Sequence, residues 1–250
     1  RYIAFSGDKA YVSSYAGPVQ LNPNRDQIGY IAEIDTATFQ ITRTVTVGYQ
    51  PEELAVVNGK LYVANSGGYR YPNYDKTVSV IDLATFTEIK QIPVAINLHR
   101  LKADRHGRIY ISARGDYYSI PSNLYIIDTN TDTLQDSLNI PVSNFCIEGD
   151  SAYIYSTQWN WNTGETTITY AIINLATKQV VNHHFMEAAT EEKIKTPYGI
   201  AVNPETREIF VTDAKNHVTP GTLYCFSPDG KLKWEVTTGD IPAHFAFLYY

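Results

Sequence analysis

Residues 54–65 are LAVVNGKLYVAN, two runs of apolar and β-branched residues on either side of Asn58-Gly59. An Asn-Gly pair readily adopts the positive φ angles of a two-residue hairpin, so the two runs are predicted to be antiparallel strands. A similar sequence pattern recurs about every 50 residues. Its second strand carries an aromatic residue each time, at Tyr11, Tyr62, Tyr110, Tyr153 and Phe210. A repeat made of short strands alone predicts a stack of small sheets, each burying its apolar face against its neighbours.

Each repeat continues into a third and a fourth strand. A tight turn follows the third strand and leads to a more polar fourth strand. The third strands end at Asp35, Asp82, Asp128, Asn174 and Ser227. Four antiparallel strands per repeat form the blade of a β-propeller, with the polar fourth strand at the outer edge. We therefore predict an all-β propeller of about five blades.

The repeats also set the predicted boundaries. One propeller domain is expected over residues 1–250, with repeat units at approximately 1–50, 51–97, 98–142, 143–196 and 197–241 and a closing strand at 242–250. Both ends of the chain have the residue pattern of a first strand. The blade that residues 242–250 would begin therefore lacks its other three strands in this sequence. We expect the intact protein to have about seven blades, preceding sequence supplying the rest; a complete five-bladed wheel with one extra strand is the alternative.

Composition excludes several classes of protein. The chain has 250 residues, 44% of them hydrophobic, which is enough for a substantial core, and no apolar run is long enough to span a membrane. A net charge of −6 without a basic cluster argues against binding to nucleic acid or to anionic membranes. The two cysteines, Cys146 and Cys225, fall in different strands of different blades and are interpreted as small buried apolar residues without a disulfide.

Three segments carry a resemblance to a known family. Residues 78–85 (VSVIDLAT), 92–94 (IPV) and 197–204 (PYGIAVNP) resemble the YVTN repeat of YncE-like β-propellers. No Trp-Asp dipeptide ends the third strands, which argues against a WD40 propeller. The last repeat, at 211–242, is similar to the surface-layer-like lipoproteins of gut Bacteroides, a group that includes the vitamin B12-binding propeller BtuG.

That resemblance implies a non-enzymatic, surface-exposed binding propeller for nutrient capture. It implies a cobalamin-type ligand, a TonB-dependent outer-membrane transporter as partner, and an outer-membrane lipoprotein at the cell surface. A protein or glycan adhesion module is one alternative, favoured by a broad, flat aromatic face. A lactonase-like or lyase-like propeller enzyme is another, favoured if His99, Glu53 and His244 converge on one point. No cofactor is predicted.

The loops between second and third strands carry most of the unusual residues and are expected on one face. Aromatic rings beside hydrogen-bonding groups suit sugars, corrin-like macrocycles or peptides. The alternative is that these rings pack on one another and stiffen long loops. The candidate ligand-binding residues there are Tyr15, Tyr69, Tyr71, Tyr74, Arg114, Tyr117, Tyr118, Trp159, Asn160, Trp161, Asn216 and His217.

A second group of candidates lies where the first strands begin, around the predicted channel mouth. Its members are Glu53, Arg100, His99, Tyr198 and His244. Alignment of the first strands places Glu53 of one blade beside Arg100 of the next. Such a charge pair would either fix a polar group of a ligand or serve as an ordinary structural pair.

Local motifs give no support to catalysis or to a metal site. The sequence has no His-x-His or His-Glu-x-x-His spacing, no Gly-x-Ser-x-Gly elbow and no glycine-rich phosphate loop. Propeller enzymes draw catalytic groups from separate blades, so Glu53, Arg100, His99 and His244 remain an alternative acid–base set. Asp35, Asp82 and Asp128 are predicted to cap the turns after the third strands, with calcium binding as the alternative.

Overall fold

The computed structural model describes residues 2–17, 28–160 and 163–248, without the side chain of Asn160. In these ranges the chain forms twenty strands in five four-stranded sheets, and neighbouring strands in every sheet are antiparallel and follow one another in sequence. The chain divides into two compact units, unit 1 (Arg1–Pro141) and unit 2 (Val142–Tyr250). The five sheets correspond to the five predicted blades.

Unit 1 contains the first three sheets. The first is β1 (Ile3–Ser6), β2 (Lys9–Tyr15), β3 (Ile28–Asp35) and β4 (Ile41–Tyr49). The second is β5 (Pro51–Val57), β6 (Lys60–Asn65), β7 (Thr77–Asp82) and β8 (Thr87–Pro93). The third is β9 (Leu98–Ala103), β10 (Arg108–Ala113), β11 (Asn123–Asp128) and β12 (Thr133–Ser137). Their first strands, β1, β5 and β9, pack side by side.

Unit 2 contains the other two sheets. The fourth is β13 (Asn144–Glu148), β14 (Ser151–Asn160), β15 (Glu165–Asn174) and β16 (Gln179–Asn182). The fifth is β17 (Pro197–Val202), β18 (Ile209–Asp213), β19 (Thr222–Phe226) and β20 (Leu232–Thr237). A single turn of helix, α1 (Ala188–Glu191), lies between the two sheets in the sequence and was not predicted.

The cores lie between neighbouring sheets, as the repeat requires. In unit 1, Tyr11 and Ile31 of the first sheet pack with Leu61 of the second, and Tyr62 packs with Leu98 of the third. In unit 2 the fourth and fifth sheets bury the cluster that contains Tyr155, Tyr170, Phe185, Val211 and Phe226. Side chains of the fourth strands are mostly exposed, which confirms that these strands are the outer edges.

The turns after the third strands are capped as predicted. Asp35 Oδ1 accepts the backbone N–H groups of Ala37 and Thr38 at 3.1 and 2.9 Å, and Asn174 Oδ1 does the same in the fourth sheet. Lys9, with its Nζ 2.7 Å from Asp35 Oδ2, and then the bonds from Thr38 hold the pKa of Asp35 well below its usual range. The carboxylate oxygens therefore stabilise the turn itself.

Three predictions about local structure need correction. Residues 158–160 were predicted as a loop, yet they belong to β14, which pairs with β15 as far as Asn160 opposite Glu165. A closing strand was predicted at 242–250, but its described residues, 242–248, form no ladder; Phe245 and Phe247 instead pack on Phe210 at ring-centroid distances of 6.1 and 5.6 Å. Neither Cys146 nor Cys225 forms a disulfide, but only Cys225 is buried, whereas Cys146 is partly exposed.

Candidate functional site

Four of the residues predicted at the starts of the first strands lie in β-bulges: Glu53, His99, Arg100 and Tyr198. The strands β5, β9 and β17 each contain one extra residue relative to the second strand of their sheet. The bulged pairs are Glu52-Glu53, His99-Arg100 and Tyr198-Gly199. A bulge interrupts the ladder and re-aims side chains, and bulges are frequent beside functional sites.

In three sheets a hydroxyl of the second strand accepts a backbone amide at the start of the first strand. The pairs are Ser13 Oγ with Tyr2 N (3.2 Å), Ser112 Oγ with Arg100 N (3.0 Å) and Thr212 Oγ1 with Gly199 N (2.7 Å). These hydroxyls satisfy the backbone amides at the starts of the three first strands.

Glu53 does not pair with Arg100, contrary to the prediction. Its Oε1 lies 2.6 Å from Lys102 Nζ, and its Oε2 accepts the Leu101 N–H at 2.9 Å. Both carboxylate oxygens are therefore bound to β9, and Glu53 joins the second sheet to the third. The charge pair is structural, and its cation is Lys102.

His99 and Arg100 both contact Tyr2, which lies just before β1. The Tyr2 Oη and His99 Nε2 atoms are 2.9 Å apart, and Arg100 Cζ lies 5.2 Å from the centre of the Tyr2 ring. Burial is the main cause that raises the pKa of the Tyr2 hydroxyl, so this phenol is neutral at physiological pH. The contact ties the first strand of the first sheet to that of the third.

A polar collar joins the loops above these first strands. We use this name for Gln50, Glu52, Ser66, Asn97 and Arg114. Glu52 Oε1 lies 3.3 Å from both Ser66 Oγ and Arg114 Nη1, and Asn97 Oδ1 lies 3.3 Å from the same nitrogen. Gln50 O accepts the Ser66 hydroxyl at 2.9 Å. Arg114, a predicted ligand-binding residue, is thus held among collar side chains.

Two loops of unit 1, each hydrogen-bonded to the collar, bring tyrosine rings together. The tyrosine patch is Tyr71 and Tyr74 of the β6–β7 loop with Tyr117 and Tyr118 of the β10–β11 loop; Tyr69 lies beside it, half-exposed. Tyr71 is 6.0 Å from Tyr74 and 6.3 Å from Tyr118, measured between ring centres. The Tyr71 and Tyr118 side chains are nevertheless 60% and 69% exposed. The rings thus contact one another and remain largely accessible to solvent.

Asp116 fixes the backbone of the loop that carries Tyr117 and Tyr118. Its Oδ1 accepts the N–H groups of Tyr118, Ser119 and Ile120 at 2.7–2.9 Å. These bonds lower the pKa of Asp116 to about 2, so the carboxylate keeps its charge and its turn at any physiological pH. The preceding Gly115 has φ +69°, and a Cβ atom there would lie 1.9 Å from Ile120 O.

The other tyrosine loop is anchored to the collar. The Tyr69 N–H lies 3.4 Å from Gln50 Oε1, and the Gly68 N–H donates to Ser66 Oγ at 3.2 Å. The Arg70 guanidinium carbon lies 3.6 Å from the centre of the Tyr49 ring, a cation–π distance. Hydrogen bonds to the collar therefore hold the backbone of the β6–β7 loop, which carries two tyrosines of the patch.

In unit 2 the predicted candidates form a smaller cluster. The rings of Tyr198 and His217 are 5.7 Å apart in an edge-to-face arrangement. Asn216 Oδ1 accepts the N–H groups of Val218 and Thr219 at 3.1 and 2.9 Å, so its side chain caps a turn. His244 is exposed on the segment that follows the fifth sheet.

The remaining candidates are separate cases. Tyr15 ends β2 and is partly buried; Trp159 lies on β14 opposite Thr166 and is 53% exposed. Asn160 is described only by its backbone pairing, and Trp161 lies outside the described residues. Within 2–17, 28–160 and 163–248, no group of three or more His, Cys, Asp or Glu residues has the geometry of a metal site. No helix in those ranges has the length and apolar character needed to cross a membrane.

Sequence reasoning missed the collar and Asp116. Glu52, Ser66 and Asn97 stand next to positions that were considered, but their side chains meet only because bulges and left-handed residues redirect the chain. Gln50 and Asn97 have φ +44° and +57° immediately before the bulged strands. Asn97 is the one residue of the collar whose type could have indicated a positive φ angle from the sequence, since Asn adopts this conformation more readily than most residues.

Comparisons with known proteins support the fold. Residues 1–247 match the domain of unknown function DUF5074. Hydrazine synthase of Kuenenia stuttgartiensis has a TM-score of 0.70 at 18% identity, over 97% of this chain and 67% of that one. The Dos1 propeller has a TM-score of 0.60 at 12% identity; the match covers 94% of this chain and 60% of that propeller's chain. No curated protein matches.

These similarities confirm the predicted β-propeller of four-stranded blades, five of them in this chain. At such identities they concern the fold alone. The narrower resemblance to YncE-like and vitamin B12-binding propellers stays a prediction.

Proposed function

Since the chain belongs to the DUF5074 family, we propose its role from the geometry of its own residues: it is a non-enzymatic propeller that binds a ligand through the tyrosine patch. The observation that carries the proposal is the exposure of Tyr71, Tyr117 and Tyr118, each more than half exposed, on loops with a fixed backbone. Large exposed rings on a rigid support supply contact area at low entropic cost.

The chemistry of the patch suits a ligand with flat or apolar faces and polar edges. Phenol rings offer apolar faces, while their hydroxyls and the polar groups of the nearby collar offer hydrogen bonds. Sugars, peptides and corrin-like macrocycles all have this character. Because the last repeat resembles the lipoproteins that include a vitamin B12 binder, a cobalamin-type compound is the first ligand to test.

The same resemblance extends the proposal to location and partner. We place the protein at the cell surface as an outer-membrane lipoprotein that passes its ligand to a TonB-dependent transporter. Co-purification of such a transporter with the tagged protein from outer-membrane extracts is the direct measurement of that association.

The test is isothermal titration with cyanocobalamin of the wild type and of the double variant Tyr71→Ala/Tyr118→Ala. Loss of these two exposed rings is expected to weaken binding at least about 100-fold, because each ring contributes on the order of 1.4 kcal/mol or more. Trp234→Ala is the control, since Trp234 is an exposed aromatic residue on the outer strand β20.

The outcomes separate the ligand from the surface. Absence of cobalamin binding, with glycan or peptide binding that the double variant loses, would replace the ligand and keep the patch. Binding of equal strength by the wild type and the double variant would overturn the assignment of the patch.

A further inference from the structure

Arg100 is almost fully buried and has an unsatisfied guanidinium nitrogen. The residue is 5% exposed, and its Nε is inaccessible to solvent and has no hydrogen-bond partner. Across the described ranges its side chain forms no hydrogen bond and no ion pair; the Arg100 N–H bond to Ser112 is a backbone one. Its only side-chain partner there is the Tyr2 ring.

The carboxylates nearby are already engaged. Both oxygens of Glu53 bind β9, and Glu52 Oε1 binds Ser66 and Arg114. Lys102 neutralises Glu53, and Arg114 neutralises Glu52, so Arg100 is an uncompensated positive charge in this cluster. A buried cation without an acceptor is costly, and proteins keep one chiefly where another group supplies the charge.

From this geometry we propose that Arg100 is the receptor for an oxyanion, the carboxylate or phosphate group of a ligand. A guanidinium presents parallel N–H donors in a planar fork that matches two oxygens of either group. The Arg100 backbone is fixed by Ser112, and the Tyr2 ring lies 5.2 Å from the guanidinium carbon, so the cation is positioned before any anion arrives. The site does not depend on the ligand of the tyrosine patch.

Simple anions test the proposal. The melting temperature of the whole chain is measured at pH 7 against inorganic phosphate and, separately, acetate, at ionic strength held constant with sodium chloride. Occupancy at about ten times the Kd is expected to raise the melting temperature by about 3–6 °C. The anion that gives the rise identifies the chemical source.

Three variants make the result specific. Arg100→Met should abolish the rise, and Arg100→Lys, which keeps the charge but not the fork, should weaken binding about tenfold or more. Arg207→Gln, which removes an exposed arginine paired with Glu148, should respond like the wild type. The lysine variant keeps the test decisive if Arg100→Met does not fold. No rise in the wild type with either anion, or an equal rise in Arg100→Lys, would overturn the assignment.

Discussion

Two tyrosines at equivalent places in the repeat are expected to respond oppositely to the loss of their hydroxyl. Tyr62 of β6 and Tyr110 of β10 are both fully buried. Tyr62 Oη donates to Asp132 Oδ1 at 2.5 Å, which links the second sheet to the third. Tyr110 Oη is equally inaccessible and has no hydrogen-bond partner in the described part of the chain, and burial raises its pKa to about 12.

The expected magnitudes follow from these contacts. Tyr62→Phe removes a hydrogen bond to a carboxylate, which costs about 2 kcal/mol, while Asp132 keeps Lys60 at 2.6 Å. For a chain of this size that loss lowers the melting temperature by about 4–8 °C. Tyr110→Phe removes a buried unpaired hydroxyl, so it is expected to be neutral or to stabilise by up to about 1 kcal/mol.

Urea denaturation of the two variants beside the wild type measures the difference, with an unchanged m-value as the condition for comparing midpoints. The reasoning fails if Tyr110→Phe destabilises the protein as much as Tyr62→Phe does. A neutral Tyr62→Phe would equally refute the value assigned to the Asp132 contact.

Two further predictions concern stability. Arg43, and then Thr42, hold the pKa of Glu33 below its usual range, so its stabilisation is full above pH about 5 and lost as pH falls through the lowered pKa. The melting-temperature gap between wild type and Glu33→Gln should therefore close on acidification; a constant gap would contradict this. Gly7→Ala places its new Cβ in open space and should lower the free energy of unfolding by about 1 kcal/mol. Gly115→Ala places its Cβ against Ile120 O, so it should lower the free energy of unfolding more and also weaken binding at the tyrosine patch. Equal losses in the two variants would contradict the clash.

The repeat made the fold predictable because the residue pattern of a strand and its turn lies within a short segment of sequence. A segment such as residues 54–65 contains both the turn residues and the two apolar runs of a hairpin. Five such segments in one chain are compatible with few architectures other than a propeller. The end of β14 was not predicted for a related reason: Trp159 and Asn160 have no strand pattern of their own, whereas they pair with Thr166 and Glu165 at the start of β15, which continues through β-branched residues. Pairing partners, more than composition, decide where a strand ends.

The charges at the first strands were less predictable. Alignment correctly placed Glu53 and Arg100 at equivalent positions, but a bulge decides which neighbour each side chain reaches. Lys102, two residues further along β9, meets Glu53 instead. The sequence contains no signal for that one-residue irregularity, since bulges depend on how two strands settle against each other.

The starts of the first strands combine one backbone contact with different side chains. A hydroxyl of the adjacent strand accepts a hydrogen bond from the backbone amide of Tyr2, Arg100 or Gly199. The side chains at these positions are therefore not needed for pairing within the sheet. Equivalent blades accordingly carry a phenol at Tyr2, a guanidinium at Arg100 and no side chain at Gly199. The same backbone arrangement can thus hold chemically different groups at equivalent positions without a change in the sheet that carries them.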